Sequence, residues 1–290
     1  MSYSSNPQLT HQYAEVNGVK LHYVSGGEGE PILFLHGFPE FWYAWKNQLS
    51  EFGKDHFVVA PDLRGYNLSS KPKGLDSYRI NTLIEDIRAL IEYLGYKKII
   101  LVAHDWGGFI AWRFAIAYPD YLEKLIIINM PHPGVFAREL TSNPAQQKAS
   151  RYMKWLQNPL IEKLLSAFHY KFMFSYIFLE MTQQKLFTPE DKKAYMEAWS
   201  QPGALTAAIN FYRAARAKPS PISDPNLLKI KAPTLVIWGE KDRYFVKENL
   251  NGLEQFVPNL VIKRISAASH WVIHEKPELV NNYIRQFIHP

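Results

Sequence analysis

The sequence predicts an α/β fold: a mostly parallel eight-stranded sheet, helices on both of its faces, and a helical lid inserted before the last two strands. Three observations lead there. Short apolar runs of strand length alternate with amphipathic helical runs as far as Ile128. The alternation stops from Pro131 to about Ala217, where helical and aromatic-rich segments hold no recognisable buried strand. It resumes at Thr234 with two further strands. The expected organisation is a first core part over residues 1–131, a helical lid over 132–218 and a second core part over 219–290.

Residues 1 to about 10 read as a polar, loosely held tail. From Gln12 to Val24, two alternating runs flank Asn17-Gly18, a pair suited to the positive φ angles of a tight hairpin, so the first two strands are expected to be antiparallel. Pro31 to Leu35 is a continuous apolar strand ending in His36-Gly37-Phe38-Pro39, and Phe41 to Leu49 has helical spacing. Phe57 to Ala60 is a buried strand that runs into Pro61-Asp62-Leu63-Arg64-Gly65-Tyr66. Ile80 to Leu94 is an amphipathic helix closed by Gly95. Lys98 to Ala103 is a strand, Gly107 to Tyr118 a helix stopped by Pro119, and Leu125 to Ile128 a strand. Beyond the lid, the proline-rich stretch Lys218 to Pro225 marks the return to strands at Thr234 to Gly239 and Leu260 to Ile265, and to a last helix from Pro277 to Phe287.

Composition narrows the function classes. The 290 residues are 47% hydrophobic, enough for one large core with an insertion. A net charge of +6 is spread without a basic block, which gives nucleic-acid binding little support. With no cysteine there is no disulfide framework, thiolate metal site or cysteine nucleophile. The first residues lack the apolar core of a signal peptide, and no run approaches the ~18 apolar residues of a membrane span. The expectation is a cytoplasmic monomer or homodimer.

The chemistry centres on Leu101 to Gly108, LVAHDWGG, which reads as a buried strand, a tight turn at Asp105 and the start of a helix. This is the shape of a nucleophile elbow, with a carboxylate where acyl-transfer enzymes carry serine. A carboxylate attacks saturated carbon usefully, leaving an alkyl ester on the enzyme. With an ordinary pKa of ~3.9 it is already an anion at neutral pH and needs no base. Asp242 and His270 follow the last two strands, and reacting groups of parallel sheets gather at the carboxyl ends of strands. His270, held by Asp242, would take a proton from water to hydrolyse the ester. The backbone N–H groups of Phe38 and Trp106 would hold the oxyanion. Other polar residues have plainer readings: His104 and His36 structural, Asp62 ordering its turn, Asp86 solvated or capping, His274 a reserve base.

HGFPEFWYAW, DLRGYNLSSKP and HDWGG, in this order and over nearly the whole chain, resemble the soluble epoxide hydrolase branch of the α/β-hydrolase superfamily. HDWGG is shared with the related haloalkane dehalogenases, and Ala103 stands where the usual elbow has glycine. The resemblance implies two lid tyrosines that hold the epoxide oxygen. Tyr152 in YMKWLQNP and Tyr212 in NFYR match those motifs, with Tyr170 and Tyr176 as substitutes. A phenol is protonated at neutral pH and can donate to the alkoxide that ring opening produces. The implied substrate is a small apolar epoxide, with water and without cofactor or metal; Trp106, Phe38, Trp155 and Phe174 are the expected contacts, with Met173 a further candidate for the lining. The rivals are a haloalkane or haloacetate dehalogenase on the same aspartate, and a non-catalytic ligand-binding protein of the same fold. Haloalkane dehalogenases usually place a side-chain halide donor where this chain has Phe38, and haloacetate dehalogenases an arginine where it has Trp106.

Overall fold

The computed structural model describes residues 8–215 and 225–289. Most of the expected polar tail and of the proline-rich return segment, and the expected lid boundary at residue 218, lie outside them.

Asn17 and Gly18 both have positive φ, 46° and 72°, and turn β1 (Thr10–Val16) antiparallel onto β2 (Val19–Gly26). β3 (Pro31–Leu35), β4 (Phe57–Pro61), β5 (Ile99–His104), β6 (Leu122–Ile128), β7 (Thr234–Gly239) and β8 (Leu260–Ile265) complete one eight-stranded sheet in the order β1-β2-β4-β3-β5-β6-β7-β8. β2 and β4 pair antiparallel, and every later pair is parallel. The central strands are apolar at consecutive positions because both faces are covered. Alternate residues divide between two cores: Ile100 and Val102 pack with Trp45, Phe52 and Ile284, and Leu101 and Ala103 pack with Ile87, Ile110 and Phe114. Thus α1 (Lys46–Phe52) shares one face with the C-terminal helix, while α2 (Ile80–Tyr93) and α3 (Asp105–Ala117) cover the other.

Between β6 and β7 all described elements are helical: α4 (Pro133–Ser142), α5 (Pro144–Ala149), α6 (Arg151–Leu156), α7 (Ile161–Ser166), α8 (Lys171–Ile177), α9 (Leu179–Gln183), α10 (Pro189–Ser200) and α11 (Ala204–Ala215). α12 (Val272–Glu275) and α13 (Pro277–Ile288) end the chain. The loop after β3 is tied to this helical insertion. Trp199 and Tyr195 of α10 donate to the Pro39 carbonyl and Glu40 carboxylate at 2.5 and 2.9 Å. Lys46 and Tyr43 reach Asp191. No described helix is long and apolar enough to cross a membrane.

Asp86 departs from its sequence reading. It is buried on the inner face of α2, where Arg64 grips both carboxylate oxygens at 2.6 and 2.7 Å and the Asn17 amide donates at 2.7 Å. A carboxylate survives such burial only when paired, and the partner comes from the loop after β4, 22 residues away. Burial still raises its carboxyl, against the pull of Arg64.

Candidate active site

β5 is buried at every residue and ends at His104, and α3 begins at Asp105 itself, two residues earlier than the glycine pair suggests. The turn has no room for a relaxed geometry. Asp105 has φ 49°, a conformation L residues rarely adopt. Neighbouring glycines let the chains close in: a Cβ on Gly37 would meet Asp105 Oδ1 at 2.4 Å, and one on Gly107 the Leu35 carbonyl at 2.3 Å. Asp105 is thereby held 5% exposed, its Oδ1 accepting from the Phe38 N–H at 2.7 Å. The Trp106 N–H belongs to the first turn of α3, whose amides have no acceptor within the helix and form its positive end.

Asp242, after β7, and His270, after β8, meet Asp105 from the other side. His270 Nε2 lies 3.4 Å from Asp105 Oδ2, and its Nδ1 lies 2.8 Å from Asp242 Oδ2. Asp242 is itself fixed: Oδ1 accepts from the N–H groups of Tyr244 and Phe245, and Oδ2 from the Asn129 amide at 2.7 Å. Asn129 is locked in turn by the Gly239 N–H at 2.8 Å. Burial alone would push the imidazole down, but Asp242 and then Asp105 overturn this and raise His270 to about 10. Burial opposes the Asp105 charge as well, and the hydrogen bond and charge of His270 hold that carboxyl below its ordinary range. The resting site is therefore two carboxylates around one imidazolium.

Above Asp105 lies a cavity of about 700 Å³ whose wall includes Phe38, Asp105, Tyr152, Trp155, Tyr212 and His270. Tyr152 (α6) and Tyr212 (α11) face each other with ring centroids 6.0 Å apart. Burial, with the Asp105 charge nearby, raises both phenols well above the ordinary value, so both hold their protons. Tyr176 also lines the cavity, whereas Tyr170 packs on Trp199. Two expected contacts are corrected here. Trp106 does not line the cavity; its ring packs edge-on against Tyr212 and Phe211, centroids 5.1 and 5.5 Å away. Phe174 is buried among Phe178, Phe187, Tyr195 and Trp199, and Met173 is fully buried beside it, so both belong to the core of the helical insertion.

The model of the α/β-hydrolase-fold family matches residues 30–277. A protein of Bacillus subtilis, "AB hydrolase superfamily protein YfhM", is 44% identical over 96% of this chain and 97% of its own. "Epoxide hydrolase 1" of Caenorhabditis elegans is 41% identical over 96% of this chain and 70% of its own. A crystal structure of Bacillus megaterium epoxide hydrolase with an inhibitor superposes with a TM-score of 0.90 at 44% identity, covering 96% of this chain and all of that one. The chain belongs to the epoxide hydrolase branch of the α/β-hydrolase superfamily.

Within this epoxide hydrolase relative, the plainer polar residues shape the site from behind. His36 bonds the Gly37 carbonyl and accepts from the Leu63 N–H, and Asp62 accepts from the Trp42 N–H and the Asn67 amide. His104 contacts the His270 carbonyl at 2.9 Å, fixing the loop beneath the imidazole. His274, read as a reserve base, is bound to Glu40 at 2.6 Å. That carboxylate also takes Tyr195 and lies near His104. Two contributors escaped sequence reading. Asn129 gave only the weak signal of a polar residue just past a strand, and Tyr244, whose ring packs 4.9 Å from both His270 and Tyr152, gave none. Among the described residues one group could hold a metal, Asp55, His56 and His289. It lies outside the cavity wall, with both Asp55 oxygens already bound by Arg285.

Proposed function

We propose that the chain hydrolyses epoxides to vicinal diols through an alkyl ester on Asp105. One observation carries this reading: an ionised carboxylate on a strand-to-helix turn faces a histidine–aspartate pair across a cavity that also holds two protonated phenols. Asp105 attacks an epoxide carbon, the C–O bond breaks, and Tyr152 and Tyr212 donate to the departing oxygen while it stays tethered to the substrate. Esterification removes the Asp105 charge, so the imidazolium loses a partner and gives up its proton, which replaces the one that the phenols pass to the departing oxygen. Neutral His270, oriented by Asp242, then takes a proton from water, and hydroxide adds to the ester carbonyl. The N–H groups of Phe38 and Trp106 hold the oxyanion until the diol leaves. Ring opening consumes one proton and ester hydrolysis releases one, so the ion pair is restored. Residues 132–218 serve as the lid that brings the phenols over the nucleophile, and a wall built mostly of aromatic and aliphatic side chains suits a small apolar epoxide.

The test is a single turnover in ¹⁸O-water with a styrene-type epoxide. The first diol should carry unlabelled oxygen, because that oxygen comes from the Asp105 carboxylate; label in the first diol would falsify the covalent route. Haloalkanes and haloacetates assayed in parallel for halide release should turn over far more slowly than the epoxides, and halide release faster than epoxide opening would make the chain a dehalogenase.

A further inference from the structure

The stretch from Lys148 to Leu186 exposes both apolar and basic side chains. Eight of the fourteen large apolar side chains that stand exposed among the described residues fall between Trp155 and Leu186, with Phe168 80% exposed. Residues 148–186 also carry six lysines and arginines against two carboxylates, Glu162 and Glu180. Each carboxylate is held by an arginine from outside that stretch, Arg213 at 2.7 Å and Arg243 at 3.4 Å. None of the six cations has an ion-pair or ring partner among the described residues.

The two features meet at the mouth of the cavity. Lys148, Arg151, Trp155 and Tyr176 all line it. Arg151 and Trp155 lie one helical turn apart on α6, as do Phe172 and Tyr176 on α8. The Tyr176 ring stacks on Phe172 at 5.9 Å and lies 6.1 Å from Trp155, so an exposed aromatic cluster is bordered by unpaired positive charge.

We propose that this face docks on an anionic phospholipid surface, from which an apolar epoxide dissolved in the bilayer passes directly into the cavity. The passage of substrate rests on the epoxide reading; the docking does not. Aromatic rings with one wet edge favour the membrane interface, and lysine and arginine stems can lie along apolar surface while their charges reach headgroups. A neutral surface would leave the six cations without counter-charge. A second copy fits poorly, because a two-fold interface through this face would set those cations against their own equivalents.

The experiment sediments the full chain, without epoxide, with vesicles of phosphatidylcholine alone or mixed with phosphatidylglycerol, at low and high salt. Binding is expected on the mixed vesicles only and should weaken with salt. The pairs Lys154→Glu with Lys171→Glu, and Phe168→Ser with Phe172→Ser, should each weaken it about tenfold or more. These residues stand outside the cavity wall, so both variants should keep the wild-type circular dichroism and the turnover of a water-soluble epoxide. No binding to mixed vesicles, equal binding to neutral ones, or binding untouched by the variants overturns the proposal. So does a dimer, seen in the ultracentrifuge, that the same variants dissociate. Vesicle binding is read without substrate, so failure of the epoxide reading leaves this result standing, and the reverse holds too.

Discussion

Asp105 and His270 each reinforce the charge of the other, and that coupling can be measured at single residues. Replacing Asp105 by Asn keeps the shape of the turn and removes the charge, so turnover should fall by on the order of 10⁴-fold or more. In the same variant the imidazole loses an anion 3.4 Å away, and its pKa should drop from about 10 toward the ordinary histidine value. Histidine-labelled NMR titration reads this directly; an unmoved His270 would mean that Asp242 alone sets its charge. The reciprocal change, His270→Gln, should leave ring opening possible and block ester hydrolysis. Mass spectrometry should then find one substrate mass added to the peptide that contains Asp105, with no second turnover.

At the scale of elements, the site depends on loops whose positions are set by buried polar clasps. Asn129, just past β6, ties Asp242 after β7 to the Gly239 backbone, so Asn129→Ala should loosen the acid while leaving the nucleophile in place. A hydrogen bond to a charged group is worth ~1.5–3 kcal/mol, which corresponds to about ten- to a hundredfold in kcat. Rapid-quench analysis should show the ester accumulating; equal slowing of ester formation would contradict this placing. The clasp between Arg64 and Asp86 joins the loop after β4 to α2, and Asp86→Ala would strand a buried guanidinium at a cost of ~3–5 kcal/mol in urea unfolding. The double replacement Arg64→Met with Asp86→Leu should recover most of that loss. These clasps explain what the sequence left hidden. Strands and main helices were legible because periodicity and caps are local: β7 and β8 coincide with their apolar runs, and Asn17-Gly18 marked its turn. Asp105, Asp242 and His270 were legible because each follows a strand. The partners of Asp86 and the inward turn of Phe174 were not, since a helix that is aromatic on several sides does not say which side meets a cavity.

On the scale of the molecule, three distant segments converge at the carboxyl end of one sheet, and folding concentrates charge there. For His270 the folded pKa of about 10 exceeds the ordinary value of ~6.5 expected for the unfolded chain. The native state therefore binds that proton more tightly, and the stabilisation is complete below about pH 6.5 and lost as pH rises to about 10. Asp105 has the opposite sign: its depressed carboxyl stabilises the fold above its ordinary value of ~3.9 and ceases to do so as pH falls below it. Overall charge works against the first effect. The chain carries +6 at pH 7 with a pI of about 9.2, so raising the pH toward 9 relieves self-repulsion and should favour the compact state. A fall in Tm between pH 7 and 10 would thus report the site and not the net charge. In Asp105→Asn that fall should be shallower and end at lower pH, because His270 has lost one of the two anions that hold its proton. Differential scanning calorimetry of the two proteins side by side decides it: parallel Tm profiles would mean that Asp105 contributes nothing to holding the proton on His270 in the folded state.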